Sequence, residues 1–177
     1  MNHHDHVTLL RGGVAQPGGV WADLGSGGGA FTLALADLIG PSGHIISIDR
    51  DRRALRDQEA LLHAQFPASK VAYHVADFTQ PLDLPPLDGI VMANSLHFQR
   101  DKEPILRRVF GYLKPVGRLL LVEYNVDRGN MWVPFPLSYP TWAALAQRVG
   151  FATTRQIATV PSRFLQEIYA AESRKTA

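Results

Sequence analysis

Asp23-Leu24-Gly25-Ser26-Gly27-Gly28-Gly29-Ala30 sets a carboxylate two residues ahead of a run of glycines. Glycine lets a ligand come close to main-chain N–H groups, and where a strand turns into a helix those groups converge on an anion with the helix dipole behind them. The chemistry on offer is nucleotide binding. Gly25, Gly27 and Ala30 also satisfy the G-x-G-x-x-A spacing of dinucleotide sites, so the glycines alone leave two cofactor classes open, with a ligand-free turn as a third reading.

Asp23 discriminates between them. If its carboxylate lies beside the ligand, a pyrophosphate meets like-charge repulsion and a cation is attracted. S-adenosylmethionine presents an ammonium, a sulfonium and a carboxylate, which suits an acid next to bare N–H groups. Asp49 follows Ile45-Ile46-Ser47-Ile48 and lies 24 residues beyond Gly25 (49 minus 25), where a carboxylate can accept both hydroxyls of a ribose. Its alternative is a cap on the helix that opens at Asp51-Arg52-Arg53. Asp77-Phe78 supplies an acceptor for an exocyclic amine and an aromatic face for a purine, or else a turn-opening acid and a core ring. His97, in Asn94-Ser95-Leu96-His97-Phe98, is the candidate base, since imidazole titrates near neutrality. A histidine that only packs or hydrogen-bonds is the plainer alternative, and Glu123-Tyr124 shares that status.

The elements that must hold these residues follow from the pattern. Val20–Leu24, Ile45–Ile48, Val71–Val75, Gly89–Ala93 and Arg118–Glu123 read as parallel strands, short, aliphatic and uninterrupted, as befits strands covered on both faces. Ala30–Ile39, Arg52–Phe66 and Lys102–Leu113 carry apolar residues at helical spacing and read as crossovers. The class is α/β. Asn125–Pro140, rich in Pro, Gly and aromatics, reads as a long loop, followed by a helix over Thr141–Val149. Ala152–Val160 and Arg163–Ala171 then form an antiparallel hairpin about Pro161-Ser162, with helix an alternative for the last segment through Phe164, Leu165 and Ile168.

Composition bounds the answer. A chain of 177 residues, 46% hydrophobic and 19% charged, suits one globular domain: residues 1–19 as an N-terminal helical segment, 20–124 as the cofactor-binding core and 125–177 as the acceptor side. Eighteen basic against 16 acidic residues gives a net charge of +2, too small to mark a phosphate-binding surface. The chain has no cysteine, which removes disulfides and thiolate chemistry and fits a reducing compartment. No leader-like pattern is visible in Met1 to Arg11, so a cytoplasmic location is expected, and no apolar run approaches a membrane span. His3-His4-Asp5-His6 has metal-ligand residue types but reads as a tail or a first helical turn, and no metal is expected.

Taken together, the residues resemble the class I S-adenosylmethionine-dependent methyltransferase family over roughly Val20 to Ala171. Asp23-Leu24-Gly25-Ser26-Gly27-Gly28-Gly29 is similar to its E/D-x-G-x-G-x-G signature, Asp49 to its ribose-binding acid and Asp77-Phe78 to its adenine-contacting pair. Leu113-Lys114-Pro115-Val116-Gly117-Arg118 resembles its L-K-P-G-G turn, with Val116 in place of the first glycine. The resemblance implies a three-layer Rossmann-like sandwich on a seven-stranded, mostly parallel sheet whose last strand is antiparallel. It also implies a donor site formed by Asp23, Gly25, Ser26, Gly27, Gly29, Asp49, Arg50, Asp77, Phe78 and Asn94, with Ser95 and Leu96 beside them.

A small-molecule acceptor is the expected partner, with Met131, Trp132, Phe135 and Tyr139 placed to close over it or to pack in the core. A possible homo-oligomer through the same aromatics stays open. No nucleic acid is expected: the D/N-P-P-Y/F arrangement of amino-base methyltransferases is missing, and Arg50–Arg56 is interleaved with acids. A nicotinamide-linked reductase and a binding protein without turnover are the rival functions.

Overall fold

The structure, a computed structural model, describes residues 1–162 and 164–176. It begins with α1 (His3–Arg11), capped by a reciprocal pair in which the Asn2 side chain accepts from the Asp5 N–H and the Asp5 carboxylate accepts from the Asn2 N–H. The histidines of that segment are thus a helical turn; His6 packs at a tilt against the Phe31 ring, and no group of three or more potential metal ligands occurs among the described residues.

The alternation continues through β1 (Val20–Leu24), α2 (Ala30–Ile39), β2 (His44–Asp49), α3 (Arg52–Gln65), β3 (Lys70–Val75), β4 (Leu87–Ala93), α4 (Glu103–Tyr112), β5 (Leu113–Tyr124), α5 (Tyr139–Val149), β6 (Thr153–Pro161) and β7 (Glu167–Arg174). The seven strands form one sheet in the order β3-β2-β1-β4-β5-β7-β6. β7 runs antiparallel between β5 and β6, and the pairs from β3 through β5 are parallel. Because strand side chains alternate, each strand feeds two cores. Ala22, Leu24, Ile90, Met92, Leu119 and Leu121 pack with α4 and α5 through Leu106, Val109, Trp142 and Leu145. Trp21, Ile45, Val91, Leu120 and Val122 pack with α1, α2 and α3 through Leu10, Phe31, Leu35 and Leu62. Two helical layers around a buried sheet make the three-layer sandwich.

Two details depart from the sequence expectation. β5 starts at Leu113 rather than Arg118, because the Leu87↔Leu113 pair is followed directly by Gly89↔Arg118, leaving Lys114 to Gly117 as a bulge against a single β4 residue. The C-terminal hairpin turns later than Pro161-Ser162: Pro161 still pairs with Glu167, and Arg163, where the last strand was expected to begin, lies outside the described residues. The helical alternative for that segment fails because β7 hydrogen-bonds to a strand on either side and is buried from Ile168 to Ser173. There the buried Glu172 carboxylate takes Arg155 Nε at 2.7 Å and Arg174 Nε at 2.9 Å.

The chain leaves β1 toward β2 and β3 on one side and returns to β4 and β5 on the other. Strand order therefore reverses between β1 and β4, and a crevice opens at the carboxyl ends of those two strands.

Candidate donor and acceptor site

The glycine turn sits at that reversal. Gly25, Gly27 and Gly29 all have positive φ (+77°, +51°, +83°), so the turn needs residues without Cβ. Its backbone is anchored from below: the N–H groups of Gly25 and Ser26 both donate to the Ile48 carbonyl, and Gly29 N–H donates to the Ser26 carbonyl. A methyl at Gly25 would lie 2.6 Å from Ser95 Cβ and 3.1 Å from the Phe78 ring, so the turn, the loop after β4 and the residue pair after β3 meet at this point. On the other side, a Cβ on Gly27 or Gly28 would face open space.

Asp49, at the end of β2, reaches across to the turn. One carboxylate oxygen accepts from Gly27 N–H at 2.8 Å and the other from Asp51 N–H at 2.8 Å. The cap of α3 is Asp51 itself, whose side chain accepts from Arg53 and Ala54 N–H, so capping is not what occupies Asp49. Arg50 is exposed beside it. Asp77 accepts from Thr79 N–H at 2.9 Å, the turn-opening bond its position also allowed, and Phe78 packs half-buried against the core below Gly25. Asn94 follows β4 with φ +51° and a buried Oδ1 that has no hydrogen-bond partner. A buried carbonyl oxygen left unpaired is costly, and a ligand amine is one way to satisfy it.

Asp23 is not where the charge argument put it. Its side chain is 1% exposed, beneath the turn rather than facing the crevice, and Oδ2 accepts from the Thr32 hydroxyl at 2.6 Å. Burial pushes its carboxyl up to about 7 against the opposing effect of that hydrogen bond, and the Asp49 charge adds to the rise. The reason is local. Asp23 points toward α2 in the same layer as Trp21, and α2 covers that face of β1. No salt bridge draws it away from the turn among the described residues.

Three residues that the motif reading passed over surround it. Gln58 of α3 donates through Nε2 to the Thr32 hydroxyl, while the Ser47 hydroxyl lies 2.8 Å from Gln58 Oε1 and 2.8 Å from Ser26 Oγ. Thr32, Ser47 and Gln58 are each fully buried. The signal was available in the sequence: a hydroxyl inside Phe31-Thr32-Leu33-Ala34-Leu35 and another inside Ile45-Ile46-Ser47-Ile48 are polar groups in apolar runs, which must be paired with something.

Across the crevice, His97 lies in a short 3-10 turn over Leu96–Phe98. It is 3% exposed, and its Nδ1 sits 2.9 and 3.0 Å from the two oxygens of Glu123, which is wholly buried near the end of β5. Glu123 also accepts from Tyr124 N–H at 2.8 Å. A carboxylate there fixes the tautomer with hydrogen on Nδ1, leaving Nε2 as the basic nitrogen. His97 and Glu123 had each been singled out, yet their pairing depends on β4 and β5 lying side by side, which no spacing in the chain reveals.

The Phe98 ring lies tilted against the imidazole with centroids 4.3 Å apart, Tyr124 lies 6.0 Å from it, and Phe164 meets Tyr124 edge-on. The 125–138 loop closes this side: Phe135 N–H donates to the His97 carbonyl, and Lys102 Nζ sits 5.9 Å from the Phe135 ring. Burial pulls the Lys102 ammonium down while the Glu123 charge opposes that. Val133 and Leu137 of the loop join the interior, whereas Met131 and Trp132 stand exposed at 84% and 68%.

A family profile described as a methyltransferase domain matches residues 16–155. The ubiquinone/menaquinone biosynthesis C-methyltransferase UbiE of Pasteurella multocida is 34% identical over 105 residues, which is 58% of this chain and 39% of that protein. The chain spans less than half the length of the curated relatives it matches. Among solved structures, the YcgJ protein of Bacillus subtilis superposes with a TM-score of 0.80 at 14% identity, over 99% of this chain and all of that one. A Burkholderia thailandensis 1,6-didemethyltoxoflavin-N1-methyltransferase, solved with its acceptor and S-adenosylhomocysteine, superposes with a TM-score of 0.75 at 18% identity, over 99% of this chain and 78% of that one. At such identities the superpositions speak for the fold.

Proposed function

Because the chain belongs to the class I S-adenosylmethionine-dependent methyltransferase family, we propose that it transfers a methyl group from S-adenosylmethionine to a small-molecule acceptor. The observation that carries the proposal is the meeting of four separate chain segments at the sheet reversal: the glycine turn, Asp49, Phe78, and Asn94-Ser95 with the unpaired Oδ1 of Asn94. These groups fit the donor. Asp49 has carboxylate lone pairs to spare for ribose hydroxyls, Phe78 offers an apolar face to a purine, and Asn94 offers an acceptor to an ammonium. Arg50 and Asp77 flank the same edge and complete the proposed donor set with Ser26, Gly27 and Gly29, while Asp23, buried beneath the turn, supports it from below.

The bound donor would supply an electrophilic methyl carbon on a sulfonium, so alignment and exclusion of water can account for much of the rate. What this chain adds is a base. Nε2 of His97, with Nδ1 committed to Glu123, can take a proton from a phenol, an enol or an acidic carbon, groups that attack only weakly while protonated. The Phe98 and Tyr124 rings beside it, with Phe164 against Tyr124 and the Phe135 ring near Lys102, favour a flat, apolar acceptor. Since His97 is covered, that acceptor reaches it by displacing Phe98 or the 125–138 loop. The relative named as a C-methyltransferase and the neighbour crystallised with didemethyltoxoflavin are compatible with such a ring, though each acceptor is that protein's own.

No helix among the described residues is long and apolar enough to cross a membrane. A cytoplasmic site of action, an acceptor other than nucleic acid, and self-association through the exposed aromatics belong to the same proposal; the absence of cysteine and the small net charge support the first two.

Transfer of a labelled methyl group to a panel of phenols, enols and activated methylenes tests the reading. We expect incorporation into at least one oxygen or carbon acid, and a fall of about 10²-fold or more in turnover for His97→Ala with donor affinity within about twofold of the parent. A His97→Ala protein that turns over normally would remove the base from the mechanism. A panel without incorporation, in protein that binds the donor, would favour the binding protein without turnover.

A further inference from the structure

With Asp23 ionised, the buried contacts beneath the glycine turn have only one consistent arrangement of hydrogens. Thr32 has a single hydroxyl hydrogen, and Asp23 Oδ2 claims it at 2.6 Å, so Thr32 must accept from Gln58. That fixes the Gln58 amide with Nε2 toward Thr32 and Oε1 toward Ser47. Ser47 therefore spends its one hydrogen on Gln58 Oε1 and must accept from Ser26. Every donor in the series Ser26, Ser47, Gln58, Thr32 points inward, and the series ends on the Asp23 carboxyl. A proton on Asp23 Oδ2 would reverse the order, with Thr32 accepting and the Gln58 amide turned over, so the arrangement belongs to the ionised carboxyl, which prevails above about pH 7.

Ser26 alone in the series is partly exposed; with its hydrogen committed inward, its hydroxyl has only a lone pair left to offer a ligand. Gln58 is wedged against the turn as well, because a Cβ on Gly29 would fall 2.3 Å from its Cγ.

We propose that Ser47 and Gln58 are positioning residues that deliver the acceptor character of buried Asp23 to the crevice by way of Ser26, so that the turn offers a hydrogen-bond acceptor to an amine or hydroxyl of the donor and an unfavourable neighbour to a phosphate oxygen. The inference rests on the donor site proposed above. It replaces direct contact between Asp23 and the ligand, which the burial of that side chain rules out, with a relay through four hydrogen bonds. The turn then rejects diphosphates through the polarity of one hydroxyl in addition to any longer-range effect of charge.

The test is calorimetric binding of S-adenosylhomocysteine, at about pH 8.5 where Asp23 is ionised, to the full chain and to Ser26→Ala, Ser47→Ala, Ser47→Thr and the Ser26→Ala/Ser47→Ala pair, with the melting temperature of each recorded. We expect Ser26→Ala and Ser47→Ala each to weaken binding about 5- to 20-fold, the pair to weaken it no more than either alone, and Ser47→Thr, which keeps the hydroxyl, to restore most of the affinity. Losses that multiply in the pair, or a Ser47→Ala protein that binds within twofold of the parent, would overturn the relay. Should Ser47→Ala fail to fold, Ser26→Ala decides alone, because unchanged affinity there removes the relay's outlet. Failure of the parent chain to bind S-adenosylhomocysteine at all would instead contradict the donor site itself.

Discussion

Asp23 is held at a cost that its single hydrogen bond does not remove. A carboxyl whose folded pKa is about 7 binds its proton more tightly in the native chain than in the unfolded one, where about 3.9 is usual. The native state therefore carries the extra proton between those values, and stability falls as pH rises from about 4 to about 7, levelling off above. Three units correspond to about 4 kcal/mol as an upper bound. We expect Asp23→Asn, which keeps an oxygen for Thr32, to flatten this slope and to be more stable than the parent at pH 7.5, measured by denaturant unfolding across pH 4.5 to 8. Parallel curves for the two proteins would show that Asp23 titrates normally. A group retained against stability is consistent with a role in binding. At this scale the motif residues Gly25, Asp49 and Phe78 were legible from type and spacing. The burial of Asp23 and the pairing of His97 with Glu123 were not, since both depend on which elements pack beside them.

Elements were the most legible level, because long aliphatic strands and amphipathic helices leave a clear period and glycine and proline mark their ends. What the pattern misjudged lies where pairing overrides local preference: the start of β5 and the turn between β6 and β7. The β4–β5 bulge carries a strained residue. Val116 has φ +58° and is 61% exposed, a β-branched side chain in left-handed backbone at the place where the resemblance has glycine. Its neighbour Gly117 has no such latitude, since a Cβ there would lie 2.9 Å from the Lys114 carbonyl oxygen. Val116→Gly should thus stabilise the protein by about 1 kcal/mol, the relief of left-handed strain exceeding the entropy that glycine gains in the unfolded chain. An unfolding midpoint equal to or below the parent's would mean that the bulge relaxes to suit valine. Either outcome leaves the donor site untouched, because the bulge lies at the opposite ends of β4 and β5.

At the scale of the molecule, the strand order gathers the site by topology alone. Residues 23, 49, 78 and 94 lie at or just beyond the carboxyl ends of four strands and converge only because β1 and β4 are neighbours whose chains depart in opposite directions. The same reversal serves nicotinamide cofactors, which is why the ligand class rests on the chemistry lining the crevice and on family membership rather than on the fold. Calorimetric titration of the full chain with S-adenosylmethionine, S-adenosylhomocysteine and NADPH puts that distinction to the measurement most directly. Saturable one-to-one binding of both sulfur nucleosides with no heat from NADPH is the predicted result. Saturable NADPH binding together with silence toward the sulfur nucleosides would contradict it.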